Sequence, residues 1–244
     1  MTDTMYLSRA TLREDAPIAA LHNVLVPKDE SQRLSASHRL VWTLFGDTPD
    51  RDRDFLWREA SPGTFYLLSC RTPVDQHRIF KLDEPKLFAP SFAMGDRVTF
   101  ALRANATVAK KTGGATRGAP CDVVMNALHA IPKERRAIER ARVAEEAGRA
   151  WLSRQGAGAG FRLVDVPAVQ GGETSECAPV VSAYRTLRLD RDRRGGGFDG
   201  RLGILDFEGM LEITDPSVFM PAMARGFGRA KAFGCGLMLI RPAQ

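Results

Sequence analysis

The order of strand and helix patterns is the sequence feature that most constrains the fold of this chain. Residues 5–12 alternate in part between apolar and polar side chains and predict a strand, and residues 31–45 carry apolar side chains at helical spacing. Two more strand patterns follow at residues 55–59 and 64–70, separated by a Ser-Pro-Gly turn. A β-α-β-β start of this kind predicts a helix packed on an antiparallel sheet.

The second half of the chain repeats this order, beginning with a charged helix pattern. Residues 133–155 predict that helix, with an apolar stripe through Ile138, Ala141, Ala144, Gly148 and Trp151, and the glycines at 156–160 are expected to end it. The remaining patterns are strands at 161–169, 184–189, 202–213 and 236–240 and a helix at 216–224.

The repeated order predicts an α+β protein made of two tandem ferredoxin-like (RRM-like) βαββαβ modules. We expect the first domain to span residues 1–115, with a degraded second helix and a strand at 97–105, and the second to span 116–244. Residues 106–120 are small, polar and basic and predict a flexible connector between them.

Charge and cysteine content narrow the class of partner and the compartment. Lys and Arg outnumber Asp and Glu by 35 to 29, which gives a formal charge of +6 and suits a polyanionic partner. The four cysteines form no CxxC pair, so neither a zinc site nor a redox dithiol is indicated, and a reducing cytoplasm is expected. No apolar run reaches the roughly 18–20 residues that a membrane span requires.

A glycine-rich segment at residues 226–236 lies between the last predicted helix and the last predicted strand. A dinucleotide-binding loop has the opposite context, because it follows a strand and opens a helix. Glycines at such a segment let the backbone approach a phosphate chain closely, while Arg229 and Lys231 supply positive charge. A plain glycine-rich turn without a ligand remains the alternative.

Several short motifs recur in a fixed order along nearly the whole chain. They are Met5-Tyr-Leu-Ser8, His38-Arg-Leu-Val-Trp42 followed by Leu44-Phe45, Arg53-Asp-Phe-Leu56, Leu102-Arg-Ala-Asn105, Phe207-Glu-Gly209 and the glycine-rich segment. Each motif is short, but the ordered set resembles the CasE family, the CRISPR repeat RNA-processing endoribonucleases of type I-E Cascade.

This resemblance implies a metal-independent endoribonuclease that cleaves CRISPR repeat RNA hairpins to mature crRNA. The ribose 2′-OH attacks the adjacent phosphate, and the products carry a 5′-OH and a 2′,3′-cyclic or 3′ phosphate. The enzyme is expected to remain on its product as a Cascade subunit, so its partners are the repeat stem-loop and other Cascade subunits. No metal or organic cofactor and no membrane partner are expected.

His38 is the central catalytic candidate, because an imidazole with a pKa near neutrality can serve as a base or an acid. In the family, the catalytic His sits in this first helix, four residues before a Trp, as His38 sits before Trp42. Relatives carry a Tyr where this chain has Ser35, and a Ser hydroxyl is shorter and less acidic than a phenol. Ser35 and Lys231 are the other catalytic candidates. Without the resemblance, a surface or core histidine is the ordinary interpretation.

An arginine-rich loop between two predicted strands is the second expected RNA contact, since arginine bridges phosphates and pairs with guanine. A solvated loop, neutralised in part by Asp190 and Asp192, is the alternative. With the resemblance, the expected RNA-binding residues are Arg39, Arg103, Lys110, Lys111, Arg185, Arg188, Arg191, Arg193, Arg194, Gly226, Gly228, Arg229, Gly234 and Gly236.

Two other functions remain open from the sequence. The first is a catalytically weakened, RNA-hairpin-binding structural subunit of Cascade, which has lost cleavage because Ser35 replaces the Tyr. The second is a ferredoxin-like metabolic protein that binds a small anion and has no hairpin preference. A nucleic-acid partner predicts a steep loss of affinity with salt, whereas a small anion does not.

Overall fold

The computed structural model describes residues 4–46, 52–110, 118–165, 167–170, 173–177, 180–189 and 200–243. The chain divides into two compact units, each assembled from separate segments. The first unit comprises Met1–Ser91, Leu187–Leu202 and Ala230–Leu237, and the second comprises Phe92–Thr186, Gly203–Arg229 and Met238–Gln244. Each unit contains one main antiparallel sheet.

The first unit begins with a strand, three helices and four further strands. In chain order these are β1 (Tyr6–Leu12), α1 (Ala16–Ala19), α2 (His22–Leu25), α3 (Glu30–Trp42), β2 (Phe55–Ser61), β3 (Thr64–Ser69), β4 (Phe80–Leu82) and β5 (Lys86–Leu87). Between β1 and α3 the chain thus forms two short helices, α1 and α2. A 3-10 turn at Lys231–Phe233 completes this unit.

The sheet of the first unit has the strand order β2-β3-β1-β4, with β5 also beside β1. This is the strand order of a ferredoxin-like module, in which the first and third strands are neighbours at the centre. Every residue between β3 and β4 is described, and none of them is helical. The predicted degradation of the second helix is therefore confirmed.

The core of the first unit forms under α3 and along β1. Ala10 and Leu12 alternate inward on β1 and are buried. The rings of Phe45 and Phe55 stack with centroids 4.2 Å apart, and Phe65 lies in β3 without solvent exposure. Each large apolar side chain buried in this way stabilises the fold by about 1.5–3 kcal/mol.

The second unit contains most of the remaining elements. They are β6 (Arg97–Ala104), β7 (Thr107–Lys110), β8 (Ala119–Asp122), α4 (Val123–Leu128), α5 (Arg136–Ala159), β9 (Phe161–Val164), β10 (Pro167–Gln170), β11 (Glu173–Cys177), β12 (Val181–Leu189), β13 (Gly200–Ile213), α6 (Pro216–Arg225) and β14 (Met238–Pro242). Its sheet has the order β12-β13-β6-β14, with β9 also paired to β13. This is again a ferredoxin-like strand order, so the predicted α+β tandem architecture is confirmed.

The strand at Arg97–Ala104 marks where the structure divides the chain differently from the predicted boundary at residue 115. We expected this strand in the first domain, yet its Phe100 pairs with Gly209 of β13 and with Ile240 of β14. Its alternation shows one buried face but carries no information about which sheet provides its neighbours. The strand belongs to the second compact unit, whose segments begin at Phe92.

Two other expectations are corrected in detail. Residues 106–120 are predicted to be a flexible connector, but β7 and β8 pair as an antiparallel ribbon at the two ends of this segment, and residues 111–117 lie outside the described residues. The glycines at 156–160 are expected to end α5 after residue 155, whereas the helix continues to Ala159 and ends at the last of these glycines, Gly160, which has a left-handed φ of 73°. A Cβ on Gly156 would lie 2.5 Å from the Phe161 carbonyl oxygen, so this glycine permits close packing of helix and strand.

The apolar stripe of α5 also differs from the prediction at its N-terminal end. Ala144, Gly148 and Trp151 are buried as expected, whereas Ile138 is 85% exposed. Helical spacing identified the buried face near the middle of the helix but not where the helix leaves the sheet. In the described residues, no helix has the length and apolar character that a membrane crossing requires.

We predict that two substitutions in α5 will differ sharply in stability. Leu152→Ala empties a fully buried position and should lower the free energy of unfolding by about 2–5 kcal/mol. Ile138→Ala lies in the exposed first part of the same helix and should change the free energy of unfolding by less than about 0.5 kcal/mol. Urea unfolding followed by circular dichroism measures both, and equal losses would contradict the assigned burial.

Candidate active site

Helix α3 positions the principal candidate, His38, on the first unit. The Asp29 side chain caps the helix by accepting a hydrogen bond from the Gln32 backbone N–H. Its buried face packs against the core through Leu34, Ala36, Ser37, Leu40 and Val41. His38 lies next to the buried Ser37 on this helix and is half-buried.

The His38 ring is fixed by a hydrogen bond to the glycine-rich segment. Its Nδ1 lies 2.8 Å from the carbonyl oxygen of Ala232. Because a carbonyl oxygen can only accept, Nδ1 must carry the hydrogen and donate it. In the neutral ring, Nε2 is then the unprotonated nitrogen, and it can accept a proton from another group.

Aromatic side chains hold the same ring from other directions. The His38 ring centroid is 6.3 Å from that of Trp42 in an edge-on arrangement and 5.7 Å from that of Phe233. Trp42 in turn packs edge-on against Phe55 at the start of β2, at 5.1 Å. We call His38, Trp42, Ala232 and Phe233 the His38 site.

The glycine-rich segment reaches His38 through an unusual backbone path. Ala230 adopts a φ of 53°, which is rare for a residue with a Cβ, and the 3-10 turn Lys231–Phe233 follows it. Gly234 then has a φ of 70°, and a Cβ there would lie 2.9 Å from the Trp57 ring. This close approach places the Ala232 carbonyl over α3.

The electrostatic environment keeps His38 neutral. Burial is the largest influence and lowers the pKa of the imidazole below its ordinary 6.5, and the positive charges of Arg39 and Arg53 lower it further. The hydrogen bond to Ala232 acts in the opposite direction but is outweighed. At neutral pH the ring is therefore uncharged, with Nε2 available as a proton acceptor.

The other two catalytic candidates are brought toward His38 by the backbone. Lys231 directly precedes Ala232 in the 3-10 turn, and the whole turn packs against α3 and β2. Ser35 is half-buried on α3, three residues before His38, and residues at this spacing share one helix face. The 3-10 turn thus brings the backbone of Lys231 to the helix that carries Ser35 and His38, although almost two hundred residues separate them in the chain.

Two of the arginines that are expected to bind RNA form ion pairs with a buried carboxylate on the second unit. Arg103 Nε donates to Asp206 Oδ1 at 2.8 Å, and Arg185 forms an ion pair with the other carboxylate oxygen. Burial alone would raise the pKa of the Asp206 carboxyl, but the hydrogen bonds and charges of Arg103 and Arg185 outweigh it and lower that pKa. Asp206 was not anticipated from the sequence, where it is one ordinary acidic residue within a strand.

The other residues that are expected to bind RNA differ in exposure and in the contacts they make. Arg39, Arg188 and Arg229 are exposed, and Lys110 donates to the Asn126 side chain at 3.3 Å. In the glycine-rich segment, Gly226, Gly228 and Arg229 belong to the second unit, and Gly234 and Gly236 belong to the first. Lys111, Arg191, Arg193 and Arg194 lie outside the described residues.

Arg53 is a charged neighbour of His38 that the sequence reasoning missed as a site residue. It was noticed only as part of the Arg53-Asp-Phe-Leu56 motif. In the structure it is half-buried just before β2, and its Nη1 atom is shielded from solvent without a hydrogen-bond partner among the described residues. Its charge acts on the His38 ring.

Comparison with known proteins identifies a protein family that matches this chain. The model of the CRISPR associated protein family matches residues 5–242. The chain is 28% identical to the CRISPR system Cascade subunit CasE of Escherichia coli over 230 residues, which are 91% of this chain and 98% of that protein. It is also 28% identical to the CRISPR-associated endoribonuclease Cse3 of Thermus thermophilus over 162 residues, 65% of this chain and 62% of the relative.

Solved structures agree on the fold. Thermus thermophilus Cse3, bound to an RNA that represents a pre-cleavage complex, superimposes with a TM-score of 0.61 at 23% identity, over 98% of this chain and 100% of that one. Cas6e from Escherichia coli gives a TM-score of 0.55 at 22% identity, with coverage of 98% and 100%. The family match over nearly the full length shows that the chain belongs to the CRISPR associated protein family, in which it is similar to CasE and Cse3.

Proposed function

We propose that this protein is a metal-independent endoribonuclease that cuts the hairpin of CRISPR repeat RNA and releases mature crRNA. The observation that carries the proposal is the hydrogen bond from His38 Nδ1 to the Ala232 carbonyl, which leaves Nε2 as a proton acceptor. The relatives named as an endoribonuclease and as a Cascade subunit supply the reaction class and the biological setting. The chain's excess of 35 basic over 29 acidic residues suits an RNA partner.

In the proposed reaction, His38 is the general base. Nε2 takes the proton of a ribose 2′-OH, and the 2′ oxygen forms a bond to the adjacent phosphorus. The bond from phosphorus to the 5′ oxygen then breaks, which yields a 2′,3′-cyclic phosphate and a 5′-OH end. A neutral imidazole is required for the first step, and burial together with two nearby arginines favours that form.

The leaving 5′ oxygen needs a proton, and the phosphate needs stabilising charge. Lys231 is well placed for these roles, because it adjoins the carbonyl that fixes His38. Ser35 shares the helix face of His38 and can orient the phosphate by a hydrogen bond. Electrostatic stabilisation of this kind is commonly the largest single contribution to catalysis.

RNA binding is proposed to involve the exposed basic residues and the glycine-rich segment. Arg39, Arg188 and Arg229 present exposed guanidinium groups, and glycines let the backbone approach phosphates. The same proposal includes Arg103, Arg185, Lys110 and the arginines outside the described residues. Assembly with other Cascade subunits follows from the relative of that name.

The proposed compartment is the cytoplasm, where thiols stay reduced. Cys70, Cys121 and Cys235, the cysteines whose side chains the structure describes, carry thiols and form no disulfide. This agrees with a protein that acts on transcripts inside the cell.

A hairpin-binding subunit without cleavage is the second candidate, and Ser35 is the observation that favours it. The family's phenol at this position is replaced by a hydroxyl that cannot act as an acid near neutral pH. The two functions share the fold and the RNA, so only a cleavage assay separates them.

We predict that purified protein will cleave labelled repeat RNA in the presence of EDTA. A 2′-deoxy substitution at the scissile nucleotide should abolish cleavage, because it removes the nucleophile. His38→Ala should slow the reaction by about 10²-fold or more while hairpin affinity is retained. His77→Ala, which removes an exposed histidine of the same unit, is the matched control and should cleave normally. Tight binding without any cleavage would instead establish the non-cleaving subunit.

The pH dependence of single-turnover cleavage distinguishes a base from an acid. The pKa of His38 is lowered, so a general base becomes active as pH rises through a midpoint below 6.5 and then stays active. A general acid would lose activity over that same interval. The other charged groups near the ring are Arg39, Arg53 and Lys231. A rate that falls between pH 5 and 7 would contradict the base assignment.

We predict that Gly234→Ala will impair cleavage more than it impairs folding. A Cβ at this position must displace the Trp57 ring and shift the Ala232 carbonyl away from His38. Gly95→Ala is the matched control, because Gly95 also has a left-handed φ, of 90°, but has open space around it. Both variants incur about 1–2 kcal/mol of backbone strain. Equal cleavage rates for the two variants would show that the contact with Trp57 does not position the carbonyl.

A further inference from the structure

Arg53 is a half-buried cation that has no carboxylate partner among the residues that the structure describes. Its Nη1 atom is shielded from solvent and has no hydrogen-bond partner among the described residues. Burial lowers the pKa of the guanidinium, and no acceptor offsets this effect. Arg71, a half-buried arginine of the same unit, shows the ordinary arrangement: it donates to Asp54 at 2.7 Å and to the Phe45 carbonyl at 2.8 Å.

An arrangement of this kind opposes folding. A buried donor that loses its water without gaining an acceptor destabilises the native state, and a charged donor does so more strongly. The immediate neighbours of Arg53 in the chain include two carboxylates, yet Asp52 is exposed and Asp54 is paired with Arg71. Because Arg53 is only half-buried, its side chain is still open to an anion that arrives from outside the protein.

The location of Arg53 identifies which anion this is. The charge of Arg53 acts on the His38 ring. Arg53 lies two residues before Phe55, the first residue of β2, which packs against Trp42 of the His38 site. In the proposed reaction, the phosphate that is attacked must lie within reach of His38 Nε2. The anion that Arg53 binds is then the same phosphate that is attacked beside His38.

We propose that Arg53 is a further catalytic residue, whose guanidinium binds the non-bridging oxygens of the scissile phosphate beside His38. This rests on the proposed ribonuclease function and deepens it. As the 2′ oxygen bonds to phosphorus and the bond to the 5′ oxygen breaks, negative charge increases on those oxygens. Arg53 stabilises that charge and neither gains nor loses a proton. Its planar pair of donors suits two phosphate oxygens better than a lysine does.

The test compares Arg53→Met, Arg53→Lys and Arg9→Met in single-turnover cleavage of repeat RNA. Arg9 is an exposed arginine in an ion pair with Asp83, so it controls for the loss of one arginine from this unit. Arg53→Met should lower the maximal rate by about 10²-fold, with less than about threefold change in the protein concentration that gives half the maximal rate. Arg53→Lys should retain part of the rate that Arg53→Met loses. Arg9→Met should cleave as fast as the unaltered chain.

A second measurement separates catalysis from structure. Imidazole titration of the free protein by NMR should show a higher pKa for His38 in Arg53→Met than in Arg53→Lys, because only the methionine removes the charge. Arg39 and Lys231, the other cations near the ring, are unchanged in both variants. Urea unfolding should show Arg53→Met to be no less stable than the unaltered chain, since an unsatisfied buried donor has been removed.

The outcomes are distinct. Cleavage by the unaltered chain together with an undiminished rate for Arg53→Met overturns the role of Arg53 and leaves the proposed function intact. A slower rate that is matched by lost stability and an unchanged pKa of His38 also overturns it, because the effect is then structural. Absence of cleavage by the unaltered chain overturns the proposed function and this inference together.

Discussion

The hydrogen bond between His38 and the Ala232 carbonyl is the interaction on which the candidate active site depends. At 2.8 Å it fixes the orientation of the ring and the tautomer, in which Nε2 carries no hydrogen. The carbonyl can occupy that position because the segment before it turns at Ala230 and the segment after it passes Trp57 at a glycine. Backbone shape in one part of the chain therefore determines proton chemistry in another.

Burial and charge act on the site in a consistent direction. Desolvation lowers the pKa of His38, and Arg39 and Arg53 lower it further, so the protein keeps a histidine neutral among cations. On the second unit the opposite balance holds, where Arg103 and Arg185 surround the Asp206 carboxylate and lower its pKa. In the part of the chain that the structure describes, Arg53 has no carboxylate partner, whereas Asp206 partly neutralises Arg103 and Arg185. Of these two clusters, the one at His38 has the electrostatic character of a site for an anion.

Local sequence patterns predicted the helices and strands better than they predicted which strands pair with one another. Alternation identified the strand at Arg97–Ala104, and helical spacing identified α3 with His38 on it. Alternation does not specify a pairing partner, so this strand was assigned to the wrong sheet. The CasE resemblance singled out His38 and Lys231, but it gave no sign of Ala232, whose contribution is a backbone carbonyl. Arg53 was missed as a site residue for a related reason, since an absent partner is visible only in three dimensions.

The separation of the two parts of the His38 site along the chain has a consequence for the order of folding. The imidazole and the carbonyl that orients it are 194 residues apart. A contact between such distant residues forms late, because the long stretch of chain between them must first be brought together at a cost in entropy. The imidazole therefore acquires its orientation only once the segments Met1–Ser91 and Ala230–Leu237 have joined in the first unit.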